Sequence, residues 1–496
     1  MSTDLESISS SSIVIVGAGP AGLAAASTLT AAGRPCVLID MSVRPGGQFW
    51  RHPGTDLVLA SKTKENQGHH HWSAFTQMRS QLEDAARSGL LDYRPGQQVW
   101  AIEQDADKHF LLYLTESVRS QGAPRPAPVA VSTLILATGA YDRQLPFPGW
   151  TLPGVMAAGG VQALLKSSRV PAGLRPVVAG TGPFLMPVAA GLARAGAEHI
   201  QVCDANSLTG WARDPWGAVQ APSKGLEGVE YAGSFLRHRV RMRMRTAVVA
   251  AMGDGRVEAV RLARLTRDGS VIQGSEWEIP ADLVATGWGF TPSLELPLAL
   301  GTATRVDTDG SLIVDADPDG RTSVPGLLAA GEIVGVAGAV QALTQGELAA
   351  LAALSDSGAS VSASRRRKLH SRSRRGARFA RAMNKAAPVP QNWSSWLTDE
   401  TIVCRCEEVT HGVLKQMPTD LDAQEPRTLR VAGRAGMGMC QGRVCGFAVS
   451  CLGHREGGDR VAELTSLGRR PVAAPVPLAE IAQTPSQLQI SGTGAQ

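Results

Sequence analysis

The sequence predicts an α/β fold in which one parallel-sheet unit is nested inside another, followed by a small helical unit. Three observations lead to it. One order of elements occurs twice: an apolar strand, a glycine loop, a helix, a strand ending in Asp, a run of short strands, and a strand ending in Thr-Gly. A late segment, Gly326-Leu-Leu-Ala-Ala-Gly331-Glu332, is again a strand running into a glycine and an acid, and reads as the place where the first unit closes. Four cysteines then cluster in a compact stretch beyond a Ser/Arg/Pro-rich linker.

The elements follow in chain order. A polar head ends near Ser12, and Ile13 to Val16 is a strand that turns through GAGPAGLAAA into a helix. Cys36 to Ile39 is the next strand and ends at Asp40; Val99 to Val129 reads as a small meander; Ser132 to Ala137 is a buried strand ending in Thr138-Gly139. The pattern restarts at Arg175 to Ala179, passes through GTGP into a helix, and continues with Ile200 to Cys203, Asp204, a second short-strand region over 247–279, and Asp282 to Ala285 into Thr286-Gly287. The predicted boundaries are 12–150 for the first part of the outer unit, 151–290 for the nested unit, and 291–358 for the return of the outer one. A basic helix and linker over 359–398, a cysteine unit over 399–460 and an extended tail over 461–496 complete the chain.

Length and composition bound the answer. At about 150 residues per domain, 496 residues suggest about three domains. With 43% hydrophobic and 19% charged residues the chain has material for large cores, so disorder is excluded. Seven cysteines do not make a disulfide scaffold, and their usage fits a reducing, cytoplasmic setting. The most apolar stretch, Pro176 to Ala193, is broken by three Gly and three Pro, so no transmembrane span is expected. The opening MSTDLESISSSS has two acids and no basic residue and does not read as a signal peptide. Ten basic and no acidic residues lie between Arg365 and Lys385, more than the whole net charge of +5, so the remainder is net acidic. Basicity confined to one segment argues against nucleic-acid binding. That segment reads either as a solvated helical face or as a dock for an acidic partner.

Gly17, Gly19 and Gly22 form GxGxxG directly after a strand and at the start of a helix. Such a loop turns tightly, lets the backbone approach a pyrophosphate, and aims free helix N–H groups at it. Asp40, 23 residues after Gly17, stands where a carboxylate accepts ribose hydroxyls. The strand, helix and acid together predict a Rossmann-like dinucleotide site. The glycine pair of Arg44-Pro-Gly-Gly-Gln48 suits a long cofactor passing close by, and Gly331-Glu332 suits the far side of the pyrophosphate and the ribityl chain, so FAD is expected. GAGPAG, Asp40, PGGQ, LILATGA, VATGWG and LLAAGE together resemble the two-dinucleotide-domain flavoproteins of the pyridine nucleotide–disulfide oxidoreductase class. The resemblance implies an FAD set of Gly17, Gly19, Pro20, Gly22, Asp40, Gly47, Gln48, Val99, Thr138, Gly139, Gly331 and Glu332. Members of that class often carry a redox CxxC; this chain has none, which excludes a dithiol reductase.

The second motif, Gly180-Thr-Gly182-Pro-Phe-Leu185, has Leu where the third glycine belongs. Leu185 is expected to crowd the helix or the phosphate, so functional NAD(P) binding is not expected and the second nucleotide is left uncertain. Cys404 and Cys406, with Cys440 and Cys445, give C-x-C-x33-C-x4-C, four soft ligands suited to zinc or to [2Fe–2S]. CRCEEVT with GMGMCQGRVC resembles the [2Fe–2S] domain of the bacterioferritin-associated ferredoxin type, which implies those four cysteines as cluster ligands in a small helical domain. Cys451 has no partner in the pattern, and Cys36 and Cys203 read as buried strand residues. His69, His70 and His71 precede a predicted helix with no acidic constellation nearby, and read as a structural or interface segment rather than a metal site or an acid–base group.

A flavin unit joined to such a cluster resembles the larger, alpha-type subunit of bacterial opine oxidases, hydrogen cyanide synthase, dye-linked proline or hydroxyproline dehydrogenases, and heterotetrameric sarcosine oxidase. The resemblance implies an electron-transfer subunit with FAD and [2Fe–2S]. It also implies a separate amine-oxidase-like FAD subunit that oxidises the C–N bond, a further small subunit in some complexes, and membrane association only through partners. No catalytic residue is assigned. The competing reading is a stand-alone NAD(P)H-dependent flavin/iron–sulfur reductase.

Overall fold

The computed structural model describes residues 13–54, 68–117, 128–420, 426–454, 457–470 and 472–482. Its first sheet has five strands in the order Leu327–Ala329, Thr133–Leu136, Ile13–Val16, Cys36–Asp40 and Leu91–Pro95. Every pairing is parallel, with Ile13 opposite both Cys36 and Thr133. The central strands IVIV and CVLID are buried at every residue. Such continuous apolar runs are what a parallel sheet covered on both faces requires. One face carries the helices Pro20–Ala31 and Ala339–Asp356. They cross so closely that a Cβ on Gly346 would lie 2.0 Å from the Ala21 carbonyl oxygen. The other face packs against the antiparallel strands Gln97–Gln104, Phe110–Glu116 and Val129–Val131, whose Val99, Leu112 and Val131 join Val14, Val37 and Leu134 in one core.

The second sheet repeats the plan with the order Arg241–Met244, Gln201–Asp204, Pro176–Gly180, Leu283–Gly287 and Val155–Ala157, all parallel. It has its own antiparallel layer, Thr246–Met252, Ala259–Arg264 and Trp277–Pro280. The chain enters this unit from Thr133–Leu136 and leaves it before Leu327–Ala329, so the second sheet is an insertion within the first. The passage is a two-stranded antiparallel pair, Ala140–Asp142 with Phe290–Pro292. Thr138 Oγ1 donates to the Ser293 carbonyl at 2.8 Å, and Ser293 N–H to that of Gly139 at 2.9 Å.

The basic segment is a helix, Ala363–Ala386, capped by the Ser362 hydroxyl. Several of its charges are spent inside the molecule. Arg366 and His370 bind Asp319, Arg365 binds Glu347 at 3.1 Å, and Lys385 meets Asp214 at 3.3 Å. The first half therefore grips the outer unit and the last turn the nested one.

Beyond it lie the hairpin Ile402–Cys404/Val409–Thr410 and the helices His411–Asp420, Pro426–Gly433, Gly446–Leu452 and Arg460–Gly468. Val403, Leu414, Ala448 and Val449 share an apolar cluster with Leu145, Ala247, Leu265 and Trp288 of the nested unit. The cysteine region thus sits directly on the second sheet unit. The Trp150 indole donates to the Ile402 carbonyl at 2.5 Å, and Arg143 lies 4.1 Å over the Phe447 ring.

The tail expected to be extended from 461 is corrected in part. Arg460–Gly468 is helical because the Asp459 carboxylate caps it, accepting Val461 and Ala462 N–H at 3.0 and 3.1 Å, and because Val461 and Leu464 pack on the outer core. Leu478–Ile481 is one more helical turn. Between them, Val472, Ala474 and Val476 run along Trp100 and Tyr113. Residues 483–496, and the polar head up to Ser12, lie outside the described residues.

Candidate functional site

The first glycine loop is shaped by contacts that leave no room for side chains. Gly17 has φ +107°, and a Cβ on Gly22 would lie 1.7 Å from the Gly17 carbonyl oxygen. Only glycine at position 22 lets the helix begin so close to the strand. That helix starts at Pro20, three residues after Gly17, with Gly19 as an N-cap that offers no side-chain acceptor. Its first-turn N–H groups face outward, where an anion is favoured. Gly46 N–H donates to the Ala18 carbonyl at 2.8 Å and a Cβ on Gly47 would touch Gly19, so PGGQ is laid directly against the loop. Asp40 Oδ2 accepts Ala18 N–H and Oδ1 accepts Ser42 N–H at 2.6 Å. Burial raises the Asp40 pKa, and these N–H donors oppose the rise.

These residues line one cavity of about 1690 Å³. Gly17, Gly19, Pro20, Asp40, Gly47, Gln48, Val99, Thr138, Gly139, Gly331 and Glu332 all reach its wall, while Gly22 lies beneath it as packing. Val99 reaches the wall at a bulge between Val99 and Ala101 in the meander. The long helix starts at Ala339 with Gly338, φ +82°, as N-cap, so a second uncapped helix N-terminus opens on the same space. Glu332 Oε1 accepts Gly338 N–H at 3.0 Å, whereas Oε2 is buried without a protein partner. Burial pushes the Glu332 carboxyl up to about 7. Two free helix N-termini, a glycine cradle and an orphaned carboxyl oxygen fit a dinucleotide with an extended middle, as FAD has.

Two ionisable groups on this wall were not legible in the sequence. Lys166 sits on a π-helical turn, Leu164–Ser168, and donates to the Phe49 carbonyl at 2.9 Å; burial lowers its pKa to about 8. Asp142 accepts Gly159 N–H at 3.1 Å, and burial raises its carboxyl to about 6. Neither belongs to a motif. Both are brought to the cavity by the nested unit folding against the outer one.

The second glycine loop differs. Gly180 is the last residue of its strand, but the helix begins only at Leu185, five residues on. Leu185 is fully buried beside Val178, Val188 and Ala285. The expected crowding is resolved by the helix drawing back, which removes its first turn from the loop. Asp204 accepts Asn206 N–H at 2.9 Å, and burial lifts its carboxyl to about 6.

In the cysteine region the four thiols come together as two pairs. Cys404 lies beside Cys445 and Cys406 beside Cys440, and Cys445 also feels the charge of the other three. The neighbouring Cys445 thiol holds Cys404 down to about 5, and Cys404 pushes Cys445 up. Among the described residues no three of these thiols lie within 4.8 Å of one another. Four thiols in this set are soft donors of the kind that hold iron or zinc. Gly436 N–H donates to Cys404 Sγ at 3.4 Å, and a Cβ on Gly438 would lie 2.3 Å from that of Cys406. Cys404 and Cys445 are buried, Cys406 is exposed, and Cys440 lies on the wall of the large cavity.

The remaining cysteines and histidines have ordinary places. Cys36 and Cys203 are buried strand residues whose thiols burial pushes up to about 12. Cys451 is half-buried on the cavity wall with the Arg460 guanidinium 3.7 Å from its sulfur. His69 stacks on Trp72 at 4.7 Å, His71 is the N-cap of Trp72–Arg87, and His70 bonds the Tyr231 hydroxyl of the nested unit at 2.8 Å. Burial lowers the His69 pKa to about 3. The three rings do not converge.

The sequence matches the pyridine nucleotide-disulphide oxidoreductase family over residues 11–346. It is 35% identical to an opine oxidase subunit of Agrobacterium tumefaciens, over 95% of this chain and 92% of that protein. It is 32% identical to hydrogen cyanide synthase subunit HcnB of Pseudomonas aeruginosa, over 87% and 90%. The fold is similar to that of L-proline dehydrogenase from P. horikoshii, with a TM-score of 0.66 at 16% identity, covering 95% of this chain and 79% of that one.

Proposed function

The chain belongs to the pyridine nucleotide-disulphide oxidoreductase family, and among its members to the group that holds these opine oxidase and hydrogen cyanide synthase subunits; from that premise we propose that it is the FAD- and [2Fe–2S]-bearing electron-transfer subunit of a heteromeric amine or amino-acid dehydrogenase or oxidase. Its donors are of the CH–NH or CH–NH2 type, such as an opine, proline, hydroxyproline or sarcosine. The observation that carries the reading is continuity: Cys440, from the four-cysteine set, lines the same cavity as Gly17, Asp40 and Glu332.

When bound, FAD supplies a two-electron carrier and [2Fe–2S] a one-electron carrier. The residues of this chain hold and insulate them. The free N–H groups at the starts of the helices Pro20–Ala31 and Ala339–Asp356 would take the phosphates and the polar edge of the flavin, and Asp40 would take ribose hydroxyls. Cys404, Cys406, Cys440 and Cys445 are the cluster ligands, supported by the Gly436 N–H. Burial of Cys404 and Cys445 keeps water from one side of the set, while exposed Cys406 marks the other as the face toward an acceptor. The relatives at 35% and 32% identity are themselves subunits of larger enzymes, and on that ground C–N oxidation is assigned to a second FAD subunit.

Two experiments test this. Anaerobically purified protein should contain two irons and two acid-labile sulfides per chain beside flavin, and Cys440→Ser should lose the cluster while keeping most FAD; one zinc and no iron would refute it. Co-expression with a neighbouring amine-oxidase-like flavoprotein should yield a complex that reduces dyes with one of those amines. Equal turnover by the isolated chain would refute the division of labour.

A further inference from the structure

We propose that the second dinucleotide cleft is occupied by the chain's own linker, residues 386–392, and serves as the seat of the strap that carries the cysteine region. In this reading the cleft takes no nicotinamide coenzyme. The contacts fall on the groups that a nucleotide would need. Thr181, in the glycine loop, donates its hydroxyl to the Ala387 carbonyl at 3.0 Å and lies 3.3 Å from that of Pro388. Asn206, two residues beyond Asp204 at the strand end, donates its amide to the Pro388 carbonyl at 2.9 Å. A Cβ on Gly182 would meet the Ala387 Cβ at 3.7 Å. The loop and the acid-bearing strand end together form the ribose side of such a cleft, and both are engaged with peptide carbonyls.

The strap is fastened on either side of the cleft. Upstream, Arg213 donates to the Lys385 carbonyl at 2.9 Å, and Gly210 fits against Ala386 where a Cβ would lie 2.2 Å from its oxygen. Downstream, Asn392 N–H donates to the Asp268 carbonyl at 3.1 Å, and the Trp396 indole to that of Gly269 at 2.9 Å. Pro388 and Pro390 have no N–H, so at those positions the strap offers only acceptors, which matches the donors Thr181 and Asn206 present. Trp393 and Trp396 then enter the apolar cluster that holds Cys404 and Cys445. A cleft inherited for a coenzyme is used here to fix where the cluster ligands stand. The inference does not depend on the amine reaction, because its test reads binding and exchange, not turnover.

The test uses the full chain loaded with FAD, so that the first loop is already filled. It is titrated with ADP-ribose, NADH and NADPH by calorimetry while hydrogen exchange is followed over 387–393. The expected result is no saturable binding up to about 1 mM and slow exchange at Asn392 that no nucleotide alters. The double variant Thr181→Val/Asn206→Ala should exchange about tenfold faster in this segment with unchanged flavin content. Binding of any of the three to the wild-type chain with Kd below about 100 μM would overturn the proposal. So would nucleotide-driven exposure of 387–392, or unchanged exchange in the double variant. Should that variant fail to fold, the wild-type measurements decide alone.

Discussion

The two glycine loops stand at equivalent points of two similar sheets and have different surroundings. Val16 pairs with Ile39 ahead of Gly17, and Gly180 pairs with Asp204, so each loop leaves its strand beside an acid-bearing strand end. In the first, Gly22 brings a helix N-terminus to the loop within three residues, and the loop faces a large cavity. In the second, Leu185 is a core residue, the helix starts two residues later relative to its loop, and residues 387 and 388 lie against Thr181, Gly182 and Asn206 where the loop borders the same cavity. The lesson is that a glycine pattern specifies a turn. Whether the turn binds anything is decided by the sixth residue and by what a distant segment lays across it.

The comparison can be broken most severely by giving the first loop the second loop's residue. Gly22→Leu has nowhere to place a Cβ, so FAD affinity should fall by about 5- to 150-fold relative to the wild type, corresponding to the roughly 1–3 kcal/mol that overpacking costs; flavin absorbance of purified protein reads it. Leu185→Ala, in the second loop, should destabilise by about 2–5 kcal/mol through the cavity it leaves and yet confer no NADH binding, because the strap remains. Gain of NADH binding would show that Leu185 alone closes the site.

A third test concerns the buried acid of the first site. Glu332 has a raised folded pKa of about 7. The native state therefore holds its proton between the unfolded value and about 7, and the stability it contributes is lost as pH rises through that window. Glu332→Gln should leave apoprotein stability nearly unchanged at pH 4 and raise it by roughly 1–3 kcal/mol at pH 8, measured by denaturant melts at both pH values; the reverse order would refute the assignment. The smallest effect is expected at the rim of the second site. Lys385→Ala removes a half-exposed pair with Asp214 and should cost no more than about 1 kcal/mol, because the neighbouring backbone contacts of the strap persist.

How much of this was readable from the sequence follows from the physics of each part. The central strands are continuous apolar runs because both faces are covered, so they announce themselves. The edge strands Leu91–Pro95 and Arg241–Met244 carry charged side chains, since an edge is half-solvated, and Val155–Ala157 has only three residues, so none of them makes an apolar run long enough to read. The glycines, Asp40 and the cysteines were legible because their chemistry demands fixed residue types at short spacings. Lys166 and Asp142 were not, since the cavity that gives them meaning is assembled from segments far apart. The strap was equally hidden: Thr181 and Ala387 are joined by tertiary structure alone.

The insertion of one sheet unit within the other also sets an order of events during synthesis. Thr133–Leu136 is flanked on one side by Ile13–Val16, already made, and on the other by Leu327–Ala329. That last partner emerges nearly two hundred residues later, a wait of roughly 10–40 s at ordinary elongation rates. Late in that interval, once Leu283–Gly287 is made, the nested unit has all its own strands and can close, while the outer sheet still shows a bare apolar edge and lacks the helix Ala339–Asp356 that covers one face. The nascent chain is therefore most open to mispairing and to chaperones in its earliest-made part. A pause in translation between the codons for 136 and 327 should lower the yield of folded outer unit more than one placed after 356.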